Sequence, residues 1–309
     1  NKLIEVLEIF LLNYGIKPVF EISEYDRYYE TAVFKKNKIL EFGPDIIYIH
    51  TSFFNLKYVD TIFNSGSNFK EIIHKEFQVF KEIWTSLNDI KCSIIQNNFE
   101  FPYFRNNGNF DALVNNGKTK YVLEINKLFS EYASINKKVL INDINYLSSL
   151  YGLESWYDYN LWFSYKYAFS FDVIPYISQS IFSLIKYSQS DFQKVLITDL
   201  DNTIWGGVIG DDGFENIKLG SEDPISESFL EVQKFIKSLS KRGIILGINS
   251  KNDYKKAIEG FKNKNSKLNE NDFSIIKSNW KPKNINIKEI IKFLNISEDQ
   301  IVYIDDSPF

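Results

Sequence analysis

The sequence predicts an α/β protein with two doubly wound parallel sheets, one in residues 1–190 and the other in residues 191–309. Three observations predict it. Short β-rich runs alternate with amphipathic helical stretches over the whole length, the pattern of parallel strands covered by helices. The composition changes near residue 190, where polar Ser188–Gln189–Ser190–Asp191 precedes a fresh apolar run. Five of the 14 glycines then fall between Gly206 and Gly220, whereas the region before residue 190 holds most of the aromatic residues. A chain of 309 residues is also about two ordinary domains long.

Taken in order, the strand candidates are Pro18–Phe20, Asp45–His50, Ser93–Gln96, Lys138–Asn142, Val195–Asp199, Ile244–Asn249, Phe273–Ile276 and Ile301–Asp305. Helices fill most of the intervals. In Ser226–Arg242, for example, Phe229, Val232, Ile236 and Leu239 recur at helical spacing, and Asp223–Pro224 marks the start. Leu3 to Leu12 is an amphipathic start without the order of a signal peptide, and no apolar stretch approaches the length of a spanning helix.

Composition excludes several functions. With 44% hydrophobic and 25% charged residues the chain has material for a core and is not disordered. The 40 acidic residues against 36 basic ones give a net charge of −4, so nucleic acid and anionic membrane are not expected partners. A lone cysteine, Cys92, rules out an intrachain disulfide and a cysteine metal knuckle, which fits a cytoplasmic location. There is no methionine, even at position 1, and the chain stops at Phe309 just after its last acidic pair, so it reads as a piece cut at both ends.

The chemistry-bearing residues lie in the second half. Lys194–Thr203 reads as a buried strand delivering Asp199 and Asp201 at its carboxyl end, where open α/β sheets place their ligand crevice. One carboxylate suits a nucleophile attacking phosphorus, the other a proton donor to the leaving oxygen. Ser250 follows the next strand as a hydroxyl for a phosphate oxygen, Lys283 follows as a fixed cation, and Asp305–Asp306 close the set after the last strand. Phosphate monoester cleavage is among the slowest uncatalysed reactions, and the anionic group repels an anionic nucleophile. Magnesium removes that repulsion and prefers oxygen ligands. Asp199, the backbone carbonyl of Asp201, and a carboxylate of the Asp305–Asp306 pair are therefore the expected Mg²⁺ site, and Lys281, two residues before Lys283, could in principle replace it as the cation.

Taken alone, two aspartates after a strand are as readily a turn or helix cap. The ordered set argues against that. A response-regulator receiver uses similar residues, but its acidic pair comes first. The GxxxxGK[ST] phosphate loop is missing, so ATP use is disfavoured. Gly206, Gly207, Gly210 and Gly213 predict a hairpin flap closing beside Asp199, with Asp212–Gly213 as its turn. Between Thr203 and Lys251 there is room for this flap and one helix but no independent cap domain.

Asp199–Leu–Asp–Asn–Thr, Ser250–Lys–Asn–Asp, Trp280–Lys–Pro–Lys283 and Asp305–Asp–Ser–Pro resemble the four ordered motifs of the haloacid dehalogenase (HAD) phosphatase superfamily. The run Asp199–Leu–Asp–Asn–Thr–Ile–Trp–Gly–Gly–Val–Ile–Gly–Asp–Asp–Gly213 is similar to the FkbH-like branch, the subfamily IIIC phosphatases. The resemblance extends upstream through Leu11–Pro18, Pro44–Thr51, Gln96–Phe99 and Ile141–Tyr146, covering nearly the whole chain. It implies a Rossmann-like HAD domain behind a front domain similar to SGNH hydrolases. It also implies handling of a phosphorylated small molecule through an aspartyl-phosphate, in particular a phosphoglyceryl unit. Family members make glyceryl-carrier protein from 1,3-bisphosphoglycerate in polyketide pathways, and relatives sit in surface-polysaccharide pathways, so an acyl carrier protein is an expected partner. Carried over by motif, Asp199 is similar to the nucleophile, Asp201 to the acid/base, and Ser250 with Lys283 to the phosphate-holding pair. Asp305 and Asp306 are similar to the metal acids, beside Asp199 and Asp201. Asn202, Thr203, Gly206 and Gly207 are expected at the substrate. Two other roles stay open, a glyceryl transferase whose HAD site is preparatory and a non-catalytic scaffold of polysaccharide synthesis.

In the front domain, Glu21, His50–Thr51–Ser52, Gln96–Asn97–Asn98 and Asn142–Asp143 recur at strand ends and are expected to line a second cleft, with His50 a candidate substrate contact. The hydrolytic triad of an SGNH enzyme is not visible, because Asp158 is followed by Tyr159, Asn160 and Leu161 rather than a late histidine. Binding or docking is therefore the expected task of this half. His74 reads as an ordinary helix residue, Cys92 as packing rather than an acyl-carrying thiol, and Trp156, Trp162, Tyr165 and Tyr167 as core.

Overall fold

The computed structural model describes residues 2–57, 68–115, 117–189 and 192–307. Ser190 and Asp191 of the polar stretch, and Pro308 of the last motif, lie outside the described residues. The chain divides into two compact units, Asn1–Ser190 and Asp191–Phe309. No described helix is long and apolar enough to cross a membrane.

The front unit holds a three-stranded parallel sheet in the order β1-β2-β3, with β1 Ile46–Ile49, β2 Ser93–Asn97 and β3 Val139–Asn142. Successive side chains of a strand point to opposite faces, and β2 shows both faces covered. Ile94 joins a core with Phe80, Ile83 and Trp84 of the helix Phe69–Ser86 and Ile125 and Phe129 of the helix Lys118–Ile135. Its neighbour Ile95 packs on the other side, with Leu7 of the helix Lys2–Asn13 and Ile177 and Ile181 of the helix Ile174–Ser188.

Pro18–Phe20 is not a strand. Proline has no N–H to give to a ladder, and Val19 is 77% exposed instead of packed in a sheet face. Trp156 is core as expected. Trp162 is half-buried and stacks on Phe54 at 3.9 Å between ring centroids. Tyr165 departs from expectation, 71% exposed at the end of the helix Tyr159–Tyr165, where Lys166 turns left-handed and stops the helix. His74 sits on the exposed side of its helix. Cys92 packs half-buried against the core, and burial pushes its thiol up, away from the reactive thiolate.

The rear unit holds a four-stranded parallel sheet in the order β6-β5-β4-β7, with β4 Val195–Thr198, β5 Ile245–Ser250, β6 Ile275–Ser278 and β7 Ile301–Ile304. β4 is flanked by β5 on one side and β7 on the other, which makes its carboxyl end the switch point of the sheet. The helix Pro224–Lys241 connects toward β5. Its start is set by Asp223, whose side chain accepts the N–H groups of Ile225 and Ser226, with Pro224 in the first turn. Leu196 of β4 packs with Ile236 of that helix, whereas Val195 and Ile197 pack with Ile290 of the helix Lys283–Leu294.

The flap after β4 differs from a tight hairpin. Gly206 and Lys218 pair as a single antiparallel bridge, and a helical turn, Ile209–Asp212, forms the tip. Gly207 holds a φ of +97°, and a Cβ there would sit 2.6 Å from Asp212 Oδ2. The flap is packed rather than loose: Trp205, Ile209, Ile217 and Leu219 are buried in the core of this unit. Gly260 leaves the space that the Trp205 indole fills, since a Cβ would meet its ring at 2.5 Å.

Candidate active site

Strand register brings the acidic residues together. Thr198 pairs with Ile304 of β7 and Ile248 of β5, so the residues that follow, Asp199, Asp305 and Asn249, emerge at one level. The Asp199 N–H donates to the Ile304 carbonyl at 2.9 Å, carrying the pairing to the first carboxylate. Asp199 is 7% exposed, and its Oδ1 accepts the Leu200 N–H at 2.7 Å.

Lys283, 84 positions along the chain from Asp199, closes the group. Its Nζ donates to Asp199 Oδ2 at 2.6 Å and to Asp305 Oδ2 at 2.5 Å. Burial alone would pull the ammonium down; its bonds to Asp199 and Asp305 outweigh that and hold it above its ordinary range. Burial likewise pushes against ionised Asp305, but Lys283, the Tyr303 hydroxyl and the Ser307 N–H hold its carboxyl below the usual range. Tyr303, on β7, is driven upward by burial and by that same carboxylate.

Asp199, Asp305 and Asp306 each place a carboxylate oxygen within 4.8 Å of the others. Three hard oxygen donors at the mouth of a sheet are the donor set of a small divalent cation. The Asp201 carboxylate stands outside this cluster. Its oxygens accept from the Trp205 indole at 2.9 Å, the Ile209 N–H at 3.1 Å and the Asn252 amide at 2.7 Å. Any part it takes in holding a cation therefore falls to its main-chain carbonyl, not its side chain.

Ser250 ends β5 almost fully buried, and the Asn252 amide lies 3.4 Å from its hydroxyl. The other residues expected at the substrate lie in and beside the flap. Asn202, with φ +52°, accepts the Gly207 N–H at 2.9 Å and so shapes the turn. The Gly206 N–H is spent on the Lys218 carbonyl. Both glycine amides are thus engaged within the flap. Thr203 is buried, and its hydroxyl has no partner among the described residues.

His50 belongs to the front unit, exposed at the end of β1 with Nδ1 2.9 Å from the Tyr48 hydroxyl. The polar strand ends there satisfy one another. Asn97 accepts from Tyr48 and Asn142 and donates to the Thr51 carbonyl, while Gln96 donates to the Thr51 hydroxyl. A cavity of about 200 Å³ in the front unit is lined mainly by Phe53, Phe54, Pro102, Tyr103, Tyr157 and Tyr159 rather than by these groups.

Several residues escaped sequence reading. Asn249 donates to the Lys283 carbonyl at 3.0 Å and accepts from buried Asn286 at 3.0 Å, fixing the start of the helix that carries the lysine. Tyr303, Trp205 and Asn252 hold carboxylates. The spacings Asp201–Trp205 and Ser250–Asn252 were visible, but no charge distinguished them.

Residues 13–186 match the family model described as FkbH, N-terminal domain. Residues 181–309 match the model of haloacid dehalogenase-like hydrolases. The search of curated proteins finds no match. The crystal structure of the N-terminal part of the protein BF1531 from Bacteroides fragilis, which contains a phosphatase domain and is complexed with Mg, is similar with a TM-score of 0.88 and 28% identity. The similarity covers 99% of this chain and 81% of that one.

Proposed function

We propose, from the premise that this chain belongs to the FkbH family and carries a haloacid dehalogenase-like hydrolase domain, that it is a Mg²⁺-dependent phosphatase working through an aspartyl-phosphate. One observation carries the reading: Asp199 and Asp305, from two strands, share the Lys283 ammonium at 2.6 and 2.5 Å, level with the third acid, Asp306. The carboxylates of Asp199, Asp305 and Asp306 fit Mg²⁺, which would supply charge compensation between nucleophile and phosphate.

The residues then divide the work. Asp199 attacks phosphorus, while Asp201 gives a proton to the leaving oxygen and takes one back from the water that opens the aspartyl-phosphate. Lys283 holds the nucleophile and offsets charge on the transferring group, and the Ser250 hydroxyl donates to a phosphate oxygen. The substrate in this reading is a phosphoglyceryl or related unit, carried on an acyl carrier protein in a cytoplasmic biosynthetic route. The similarity to the FkbH family supports that choice, and the front unit is its docking module.

Phosphate release from a generic aryl phosphate, titrated with Mg²⁺, tests the chemistry. Turnover should require Mg²⁺ and vanish in Asp199→Asn. Full turnover by that variant refutes the mechanism. Incubation with 1,3-bisphosphoglycerate and a carrier protein, followed by mass measurement, tests the substrate; an unmodified carrier excludes glyceryl transfer.

A further inference from the structure

The three bonds to Asp201 are unevenly divided between its oxygens. Oδ1 accepts two, from the Trp205 indole and the Ile209 N–H, whereas Oδ2 accepts one, from Asn252 Nδ2 at 2.7 Å. A carboxylate offers about four lone-pair positions, two on each oxygen. Both positions of Oδ1 are filled, and one on Oδ2 is left.

Asn252 is placed to fix where that remaining position points. It is 4% exposed, its carbonyl accepts the Ser278 hydroxyl at 2.9 Å, and its amide also lies 3.4 Å from the Ser250 hydroxyl. Its backbone is thus tied to β6 while its side chain links Asp201 to the end of β5. On the other oxygen, the Trp205 indole is seated against Gly260 and buried.

We propose that Asn252 is a positioning residue that aims Oδ2 of Asp201, so that the proton passed to the leaving oxygen is carried at the one unfilled position of Oδ2. The proposal rests on the acid/base reading of Asp201 above. In the first step an Asp199 oxygen bonds to phosphorus, the bond from phosphorus to the leaving oxygen breaks, and that oxygen takes the proton from Oδ2. In the second, water attacks phosphorus, the aspartyl bond breaks, and a water proton returns to Oδ2 as phosphate leaves. A poorly acidic alcohol needs this proton to depart, and an acidic phenol does not. The arrangement therefore serves phosphate monoesters of alcohols.

The test compares glycerol 2-phosphate with 2,4-dinitrophenyl phosphate, using the full chain with Mg²⁺. Asn252→Ala, and Asn252→Leu, which keeps the volume without the donor, should lower kcat/KM, which reports formation of the aspartyl-phosphate, by roughly 10- to 100-fold more for the alcohol ester than for the phenol ester. Asp201→Asn should show the same selectivity more strongly. If Asp201→Asn lowers kcat/KM for both esters equally, the acid/base reading fails and this proposal falls with it. If Asp201→Asn is selective while both folded Asn252 variants lose activity uniformly or not at all, the positioning role alone is overturned.

Discussion

The two units solve the same problem in opposite ways. Each ends its parallel strands in buried polar side chains, but the front unit uses amides and hydroxyls whereas the rear unit uses carboxylates and an ammonium. Thr51, Gln96, Asn97 and Asn142 answer one another's donors and acceptors, a neutral network that costs little and asks for nothing more. Asp199 and Asp305 share one lysine, Lys283, and with Asp306 beside them the three acids leave negative charge in excess. A divalent cation held between the three carboxylates would offset that excess. The difference teaches which strand ends are architecture and which are chemistry.

Glu100 departs from this neutral pattern in the front unit. It is fully buried, accepts from the Phe53 N–H and the Tyr157 hydroxyl, and is pushed up to about 7 by burial. Asp305, with its cation, moves the other way. The signs follow. Glu100 favours the folded state below its ordinary value of 4.5, and that contribution is lost as pH rises toward about 7. Asp305 contributes above its ordinary value of 3.8 and loses that contribution as pH falls through its lowered value. Lys283 contributes below its ordinary value of 10.5 and loses that as pH rises through its raised value.

The largest effect that can break this contrast is Asp199→Asn. It should cut phosphate release by roughly 10⁴-fold or more while leaving the thermal midpoint nearly unchanged; a parallel loss of stability would make Asp199 architectural. Next comes Glu100→Gln. Urea unfolding between pH 4.5 and 7 should show the wild type losing about 3 kcal/mol relative to the variant as pH rises. A slope that survives the substitution assigns it to another group. Asn97→Ala strands the Tyr48 hydroxyl and the Asn142 amide, so stability should drop by about 2 kcal/mol with kcat for an aryl phosphate unchanged. Lost turnover at full stability would reverse the assignment. Smallest is Cys92→Ala, at about 1 kcal/mol or less with phosphate release intact, since the thiol only packs. Inactivity there would reopen an acyl-thiol role.

The sequence analysis placed seven strands near their observed positions because each is an apolar run between turn residues. It misplaced Pro18–Phe20 because a strand also needs a neighbour to receive its hydrogen bonds, which local patterning does not reveal. The acids and the lysine of the site were legible since charge at a strand end has few structural uses. Asn249, Asn252, Asn286 and Trp205 were not, because an amide or indole acquires its meaning only from the oxygen that register sets opposite it. Asp201 was legible as chemistry, but the three donors that keep its carboxylate away from the acidic cluster were not.

Asp199 and Asp305 ride on directly adjacent parallel strands, paired residue for residue up to Thr198 and Ile304. Side chains alternate across a sheet, so a deletion of a single codon inside β4 or β7 would turn one of these acids to the opposite face. Lys283, by contrast, arrives on a helix from a connecting segment that can lengthen or shorten without inverting anything. The enzyme's history should then be written unevenly, with insertions accumulating in the connections and almost none surviving in the two strands.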